Sequence, residues 1–231
     1  MFQKLKQDLQ NLANPEKAVL LQGFFKTGPG QYGEGDVFLG VVVPEQRKIA
    51  KKYVNISFAD LSKVISSRYH EERLTSFIIL AYKFEKANKD EQKELFDFYI
   101  KYKEYANNWD LIDVTTPKVV GRYLLDKDRD ILFHLAKSKS IWDKRIAVLA
   151  TFWFIKHDDF ADSLKIAEIL LNDKHDLIHK AVGWMLREIG KRNLDLEENF
   201  LKKYYKKMPR TMLRYAIERF EESKRLSYLR G

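Results

Sequence analysis

Two short stretches decide the fold of this 231-residue chain: residues 144–149, KRIAVL, and residues 179–184, HKAVGW. Each opens an apolar run with a basic residue, and Arg145 and Lys180 lie 35 positions apart. Arg214 follows Lys180 by 34 positions, and Arg73 precedes Arg145 by 72, about two such periods. Helical pairs that recur about every 35 to 45 residues are typical of HEAT-type solenoids. We therefore predict a curved α-solenoid of antiparallel helical pairs, with the repeated basic residues along one face.

Helical spacing of apolar residues extends over most of the rest of the chain. Leu74, Phe77, Ile78, Ala81 and Tyr82 follow the 3.6-residue period, and residues 95–102 and 164–171 repeat it. No stretch alternates with period two for long enough to form a sheet. The fold class is predicted to be all-α.

Prolines mark four predicted helix starts. Pro15 follows a capping asparagine, Pro44 and Pro117 are expected in first turns, and Pro209 is expected to open the last helix. We expect one HEAT-like-repeat domain over residues 1–231.

The composition is that of an ordinary globular protein, with 45% hydrophobic and 32% charged residues. The absence of cysteine excludes disulfides and thiolate sites. No apolar run reaches the roughly 18 residues of a membrane helix, and the charged first residues do not resemble a secretory signal. We expect a cytoplasmic monomer, associated with the nucleoid when bound to DNA. The net charge of +9 favours a polyanionic partner.

One segment interrupts the helical pattern. Five of the ten glycines lie between Lys26 and Val43, and three of them, Gly28, Gly30 and Gly33, form a G-x-G-x-x-G sequence. A dinucleotide site is excluded because no strand precedes the motif and a proline lies inside it. We predict a mobile loop or short hairpin at about residues 27–42, with residues 37–39 as its apolar anchor. It serves either as a surface connection or as a finger that probes a DNA groove.

Trp109 and Asp113 are the best candidates for chemistry. Four residues apart on a helix, they would share one face. Spacing alone favours the other interpretation, with Trp109 in the core and Asp113 as a cap for the turn that leads to Pro117. Burial is the expectation for the other tryptophans, which occupy apolar helical runs: Trp142, Trp153 and Trp184.

Two histidines have a spacing that a metal could use. His175 and His179 are four residues apart, but no third ligand is suggested. We expect a solvated or capping role for them and no metal or organic cofactor.

Several motifs in one order resemble the DNA alkylation repair proteins of the AlkD type, a HEAT-like-repeat superfamily. The resemblance runs from about Pro15 to Phe220. Its most telling pieces are residues 38–41 (FLGV), 43–47 (VPEQR), 108–113 (NWDLID), 141–145 (IWDKR), 180–188 (KAVGWMLRE) and 209–216 (PRTMLRYA).

The resemblance implies a glycosylase that excises positively charged N3- and N7-alkylpurines from double-stranded DNA without metal or cofactor. Asp113 would be the catalytic carboxylate, with Trp109 and Trp184 as aromatic walls. Arg145 would contact a phosphate and Arg187 the backbone nearby. Other basic residues of the matching motifs are expected to bind DNA: Arg47, Lys144, Lys180 and Arg214.

Two further hypotheses remain open. Some members of the superfamily carry an inserted hairpin where this chain has its glycine-rich segment, lack excision, and bind branched DNA. Helical repeats also serve as protein-interaction scaffolds.

Overall fold

The computed structural model describes residues 1–230, and every regular element in that range is helical. One isolated bridge between Val37 and Tyr69 is the only β-type pairing recorded within this range. The prediction of an all-α chain is therefore confirmed. The residues form two compact units, Met1–Tyr123 and a second that begins at Leu124.

The first unit is built around one long helix. The helices of this part of the chain are α1 (Phe2–Gln10), α2 (Pro15–Phe24), α3 (Val43–Lys52), α4 (Phe58–Ile65), α5 (His70–Lys86), α6 (Lys89–Lys101), α7 (Trp109–Thr116) and the short α8 (Arg122–Leu124). A 3₁₀ turn spans Lys103–Tyr105, and a π-helical turn spans Pro117–Gly121. The long helix is α5, which is buried continuously from His70 to Ala81 and contacts α1, α3, α4, α6 and α7.

The second unit shows the helical repeat. Its helices are α9 (Asp130–Ala136), α10 (Ile141–Ile155), α11 (Ala161–Ile169), α12 (Asp176–Gly190), α13 (Leu194–Tyr204), α14 (Arg210–Ala216) and α15 (Glu222–Arg230), with a 3₁₀ turn at Ile217–Arg219. α10 packs on α12 and α12 on α14, while α9 packs on α10, α11 on both α10 and α12, and α13 on α12.

The basic residues of the sequence repeat occupy equivalent positions. α10, α12 and α14 begin at residues 141, 176 and 210, so Arg145, Lys180 and Arg214 are each the fifth residue of a helix. The predicted spacing therefore reflects a real structural register within the second unit.

Two of the four proline predictions hold and two are wrong. Asn14 caps α2 by accepting a hydrogen bond from the Lys17 amide at 2.9 Å, and prolines lie in the first turns of α2 and α3. Pro117 begins the π-helical turn but not a separate helix, because the chain continues without a break from α7 through this turn into α8. Pro209 precedes α14, whereas the last helix is α15.

The glycine-rich segment forms a series of turns, without a hairpin. Its apolar anchor is confirmed by Phe38 and Leu39, which are 5% and 6% exposed. Gly40 has φ +84°, and a Cβ there would lie 2.1 Å from the Asn14 carbonyl oxygen, so only glycine is accommodated. Across residues 1–230, no helix has both the length and the apolar character that a membrane span requires.

Candidate active site

Helix α7 carries the predicted tryptophan and carboxylate in its first and fifth positions. Trp109 begins the helix, and its amide donates to the Asn108 side chain at 2.9 Å. Because α7 is continuous to Thr116, Trp109 and Asp113 lie one turn apart on one face. Both side chains are half-buried, so the part of this face that they form is open to solvent.

Aromatic rings support the Trp109 indole. Phe25 stacks on it with centroids 5.1 Å apart and planes at 28°, and Phe24 meets it edge-on at 5.9 Å. Phe25 in turn stacks on Phe38 at 5.2 Å. This apolar cluster comes from α2 and from the end of the glycine-rich segment. It restricts the indole from behind while one part of the ring stays accessible.

A buried charged network lies beside this cluster. His70 hydrogen-bonds Asp36 through Nδ1 and Asp110 through Nε2, each at 2.8 Å. The other Asp36 oxygen accepts from Arg73 at 2.5 Å, and the same Arg73 nitrogen donates to Asn107 at 2.9 Å. The network joins the glycine-rich segment, α5 and the first turn of α7.

The charges in this network stabilise one another. Burial opposes the charged imidazole, but Asp110 and Asp36 outweigh it and raise the pKa of His70 to about 9. Burial likewise opposes ionisation of Asp36, yet hydrogen bonding to His70 and the Arg73 charge lower its pKa. A protonated histidine between two carboxylates is therefore the favoured state at neutral pH.

A third buried carboxylate holds the end of the glycine-rich segment. Glu71 accepts hydrogen bonds from the backbone amides of Leu39, Gly40 and Val41 at 2.8, 2.8 and 3.2 Å. Bonds between amides and an ionised carboxylate are stronger than neutral ones. The segment is therefore fastened to α5 where it leaves the aromatic cluster.

Sequence reasoning missed His70, Asp36 and Asp110. The three residues are far apart in the chain, and only the fold brings them together. The available signal was local: His70 and Glu71 stand three and two residues before Arg73, a residue that the repeat pattern had already singled out.

The second unit carries the other predicted aromatic wall. Trp184 is half-buried on α12, its ring lies 5.6 Å from Phe152, and its Nε1 donates to Glu188 at 3.0 Å. Trp142 and Trp153 are also half-buried, so the expectation of full burial is wrong for all three tryptophans. Each faces solvent along part of its ring.

Four of the six predicted DNA-binding cations interact with groups of the second unit. Arg145 is 5% exposed and donates to the Leu177 carbonyl at 2.7 Å. Lys144 pairs with Asp173 at 2.6 Å, and Lys180 with Asp176 at 2.7 Å.

The remaining cations differ in exposure. Arg187 pairs with Glu218, and its side chain is 17% exposed. Arg47 on α3 is half-buried, and Arg214 on α14 is exposed. Arg214 is thus the most accessible of the three residues that share the repeat register.

The two histidines at metal-compatible spacing act on the backbone. His175 caps α12, its Nδ1 accepting from the Leu177 amide at 3.2 Å. His179 Nε2 lies 2.7 Å from the Asp173 carbonyl oxygen. The expected capping role is confirmed for His175.

Two comparisons with known proteins place the chain in a family and give it a structural neighbour. The model of the DNA alkylation repair enzyme family matches residues 5–220. A solved structure described as a predicted DNA alkylation repair enzyme from Enterococcus faecalis shares the fold with a TM-score of 0.71 and 16% sequence identity, covering 91% of this chain and 97% of that one. No curated protein gives a significant match. With nearly the whole chain matched by the family model, the protein belongs to the DNA alkylation repair enzyme family.

Proposed function

We propose that the protein is a DNA glycosylase that hydrolyses the N-glycosidic bond of N3- and N7-alkylpurines and leaves an abasic site. Family membership supplies the connection to DNA repair. The observation that carries the finer proposal is the pair on α7: a supported, partly exposed indole and a partly exposed carboxylate one helical turn apart.

The chemistry needs these two residue types. An alkylated purine is already cationic, so when the bond to C1′ breaks, the electron pair neutralises the departing base. Positive charge then develops on the deoxyribose, and it is stabilised by a nearby carboxylate and by the electron-rich face of an indole. In this proposal Trp109 contacts the sugar and Asp113 stabilises the cation.

Water completes the reaction. Asp113 aligns a water molecule whose oxygen bonds to C1′, and the carboxylate accepts the released proton. No strong general acid is required, because the leaving base does not need to be protonated. The chain needs no more than this single carboxylate for the proton transfer.

The second unit would supply contacts to DNA. We propose Trp184 as a second aromatic contact, and Arg214 as the leading phosphate contact among the six predicted cations because it is exposed. Lys144, Lys180 and Arg187 would exchange their carboxylate partners for phosphates on binding. We also propose that Arg47 and the buried Arg145 contact DNA, and alanine substitution of each should weaken duplex binding.

Release of free methylated bases from a duplex tests the proposal. We expect the wild-type protein to release 7-methylguanine and 3-methyladenine from methylated duplex DNA. Asp113→Asn should lower this release on the order of 100-fold with unchanged affinity for undamaged duplex, because the carboxylate acts in the transition state.

Asp97→Asn is the matched control. It makes the same chemical change at an exposed residue of α6 that pairs with Lys93 at the surface, so release should be retained. Well-folded wild-type protein that binds duplex but releases no base would contradict the glycosylase proposal and favour binding of branched DNA. Binding insensitive to salt would instead favour a protein-interaction scaffold.

A further inference from the structure

The side chain of His70 makes its hydrogen bonds outside its own helix, α5. Both ring nitrogens hydrogen-bond to carboxylates from other parts of the chain, Asp36 from the glycine-rich segment and Asp110 from α7, each at 2.8 Å. The side chain is 1% exposed. An ionised carboxylate can only accept hydrogen bonds, so both ring nitrogens must donate, which defines a protonated imidazole.

His70 reaches Trp109 by two separate routes. The first runs through hydrogen bonds: Asp110 immediately follows Trp109 in the first turn of α7. The second runs through the rings, because His70 stacks on Phe38 at 4.3 Å and lies 5.1 Å from Phe25, the ring on which Trp109 stacks. One imidazole thus contacts both the first turn of the helix and the aromatic support of the indole.

The start of α7 also leaves polar atoms unsatisfied. One oxygen of Asp110 and the side-chain nitrogen of Asn108 are buried without a hydrogen-bond partner. Unsatisfied buried groups cost free energy, and buried ion pairs contribute little net stability compared with apolar packing. The best-attested role of buried polar networks is to hold the surrounding elements in one specific arrangement. A network that adds little net stability compared with apolar packing, yet lies directly beside Trp109, points to a positional role.

We propose that His70 is a positioning residue, which fixes the Trp109 indole through its bond to Asp110 and through its stacking in the Phe25–Phe38 cluster. It touches neither the substrate nor the reacting atoms. The charged groups around it are Asp36 in the segment, Arg73 on its own helix and Asp110 on α7. The effect on catalysis rests on the proposed function, while the effect on the indole does not.

Fluorine NMR on protein labelled with 5-fluorotryptophan tests the structural part directly. The chain has four tryptophans, and Trp109→Phe assigns the resonance of interest. His70→Gln should shift or broaden the Trp109 resonance and leave the other three unchanged. This readout needs no DNA and no activity.

Single-turnover excision tests the catalytic part. With His70→Gln at saturating enzyme and well below its melting temperature, we expect the excision rate to fall on the order of 100-fold, as misplacement of a group by about 1 Å can cause. The dissociation constant for undamaged duplex should not change. Asp110→Asn keeps an acceptor oxygen and should lose less activity than Asp110→Ala.

Glu72→Gln is the matched control. Glu72 is the next-but-one residue on the same helix, equally buried, and paired at 2.9 Å with Lys6 of α1 instead of with α7. The substitution should destabilise the protein without a change in the Trp109 resonance or in the excision rate.

The outcomes separate the two proposals. A Trp109 resonance that is the same in His70→Gln as in the wild type, or one that moves equally in Glu72→Gln, overturns the positioning role. If wild-type protein excises no base, the proposed function fails, and the NMR comparison alone decides the role of His70.

Discussion

At the scale of single residues, two buried groups hold protons more tightly in the folded protein than in the unfolded chain. The pKa of His70 rises from 6.5 to about 9. Burial, followed by repulsion from Glu198, raises the pKa of Glu197 from 4.5 to about 8. Glu197 lies against Gly190, where a Cβ would be 1.6 Å from its carboxylate oxygen. Both groups make the free energy of unfolding depend on pH.

For His70 the dependence has a definite sign. Its folded pKa lies above its unfolded pKa, so its contribution is fully present below pH 6.5 and is lost as pH rises through about 9. The loss is on the order of 3 kcal/mol. Urea unfolding at intervals between pH 6 and 10 should show wild-type stability falling over this window, and the His70→Gln protein losing less.

Glu197 provides the comparison for that experiment. Its contribution is lost as pH rises from 4.5 through about 8, so Glu197→Gln should flatten the curve at lower pH. If His70→Gln and the wild type have parallel curves from pH 6.5 to 9, the histidine is not charged in the folded protein.

Among single residues, the sequence suggested some members of the candidate site and missed others. Spacing and resemblance singled out Trp109 and Asp113 as candidates, and the structure confirms only that they share one helix. His70 was missed because its hydrogen bonds are to Asp36 and Asp110, and no local pattern encodes contacts between residues 34 and 40 positions apart.

At the scale of helices, α12 and α14 approach each other closely at Gly183. A Cβ there would lie 2.4 Å from the Met212 carbonyl oxygen and 2.6 Å from the Tyr215 Cβ. Because one of these neighbours is backbone, it cannot rotate away. Glycine therefore sets the separation of the two helices.

We expect Gly183→Ala to destabilise the protein by about 1–3 kcal/mol, since the added methyl must push two helices apart. Thermal or urea unfolding measures the change. Gly23→Ala is the control, because Gly23 lies in α2 and a Cβ added there would meet nothing within 4 Å. That change should stabilise by about 0.5–1 kcal/mol. Equal effects of the two substitutions would contradict the close approach.

The predicted helix start at Pro117 was wrong for a physical reason. A proline within a helix removes a hydrogen bond and crowds the carbonyl four residues earlier, so Pro117 was expected at a helix start. Pro117 lies instead where α7 passes without a break into the π-helical turn Pro117–Gly121. Tertiary packing made that turn acceptable, since Pro117, Val119 and Val120 are all buried.

At the scale of the whole molecule, the excess of positive charge should govern DNA affinity. Each phosphate contact releases condensed counterions, so binding weakens with salt in proportion to the number of contacts. The net charge of +9 comes from 42 lysines and arginines against 33 acidic residues. Many of these cations are already paired with carboxylates of the chain. The slope of log affinity against log salt concentration should therefore reflect only a few residues.

Arg214→Ala should weaken duplex binding equally across sequences and reduce the slope of log affinity against log salt by about 1. Fluorescence anisotropy at several salt concentrations measures both. Arg192→Ala removes the same charge from a residue that pairs with Asp158, and it should leave the slope nearly unchanged. A loss at Arg214 that varies strongly with sequence would argue against a phosphate contact.

The shared register of α10, α12 and α14 sets a length scale for any nucleic acid that follows these helices. Packed helices lie about 8–10 Å apart, and each strand of duplex DNA carries one phosphate about every 3.4 Å along the duplex axis. Each step from one fifth-position cation to the next thus spans between two and three nucleotides. A row of this kind would touch only every second or third phosphate, and each added helical pair would lengthen its footprint by the same increment.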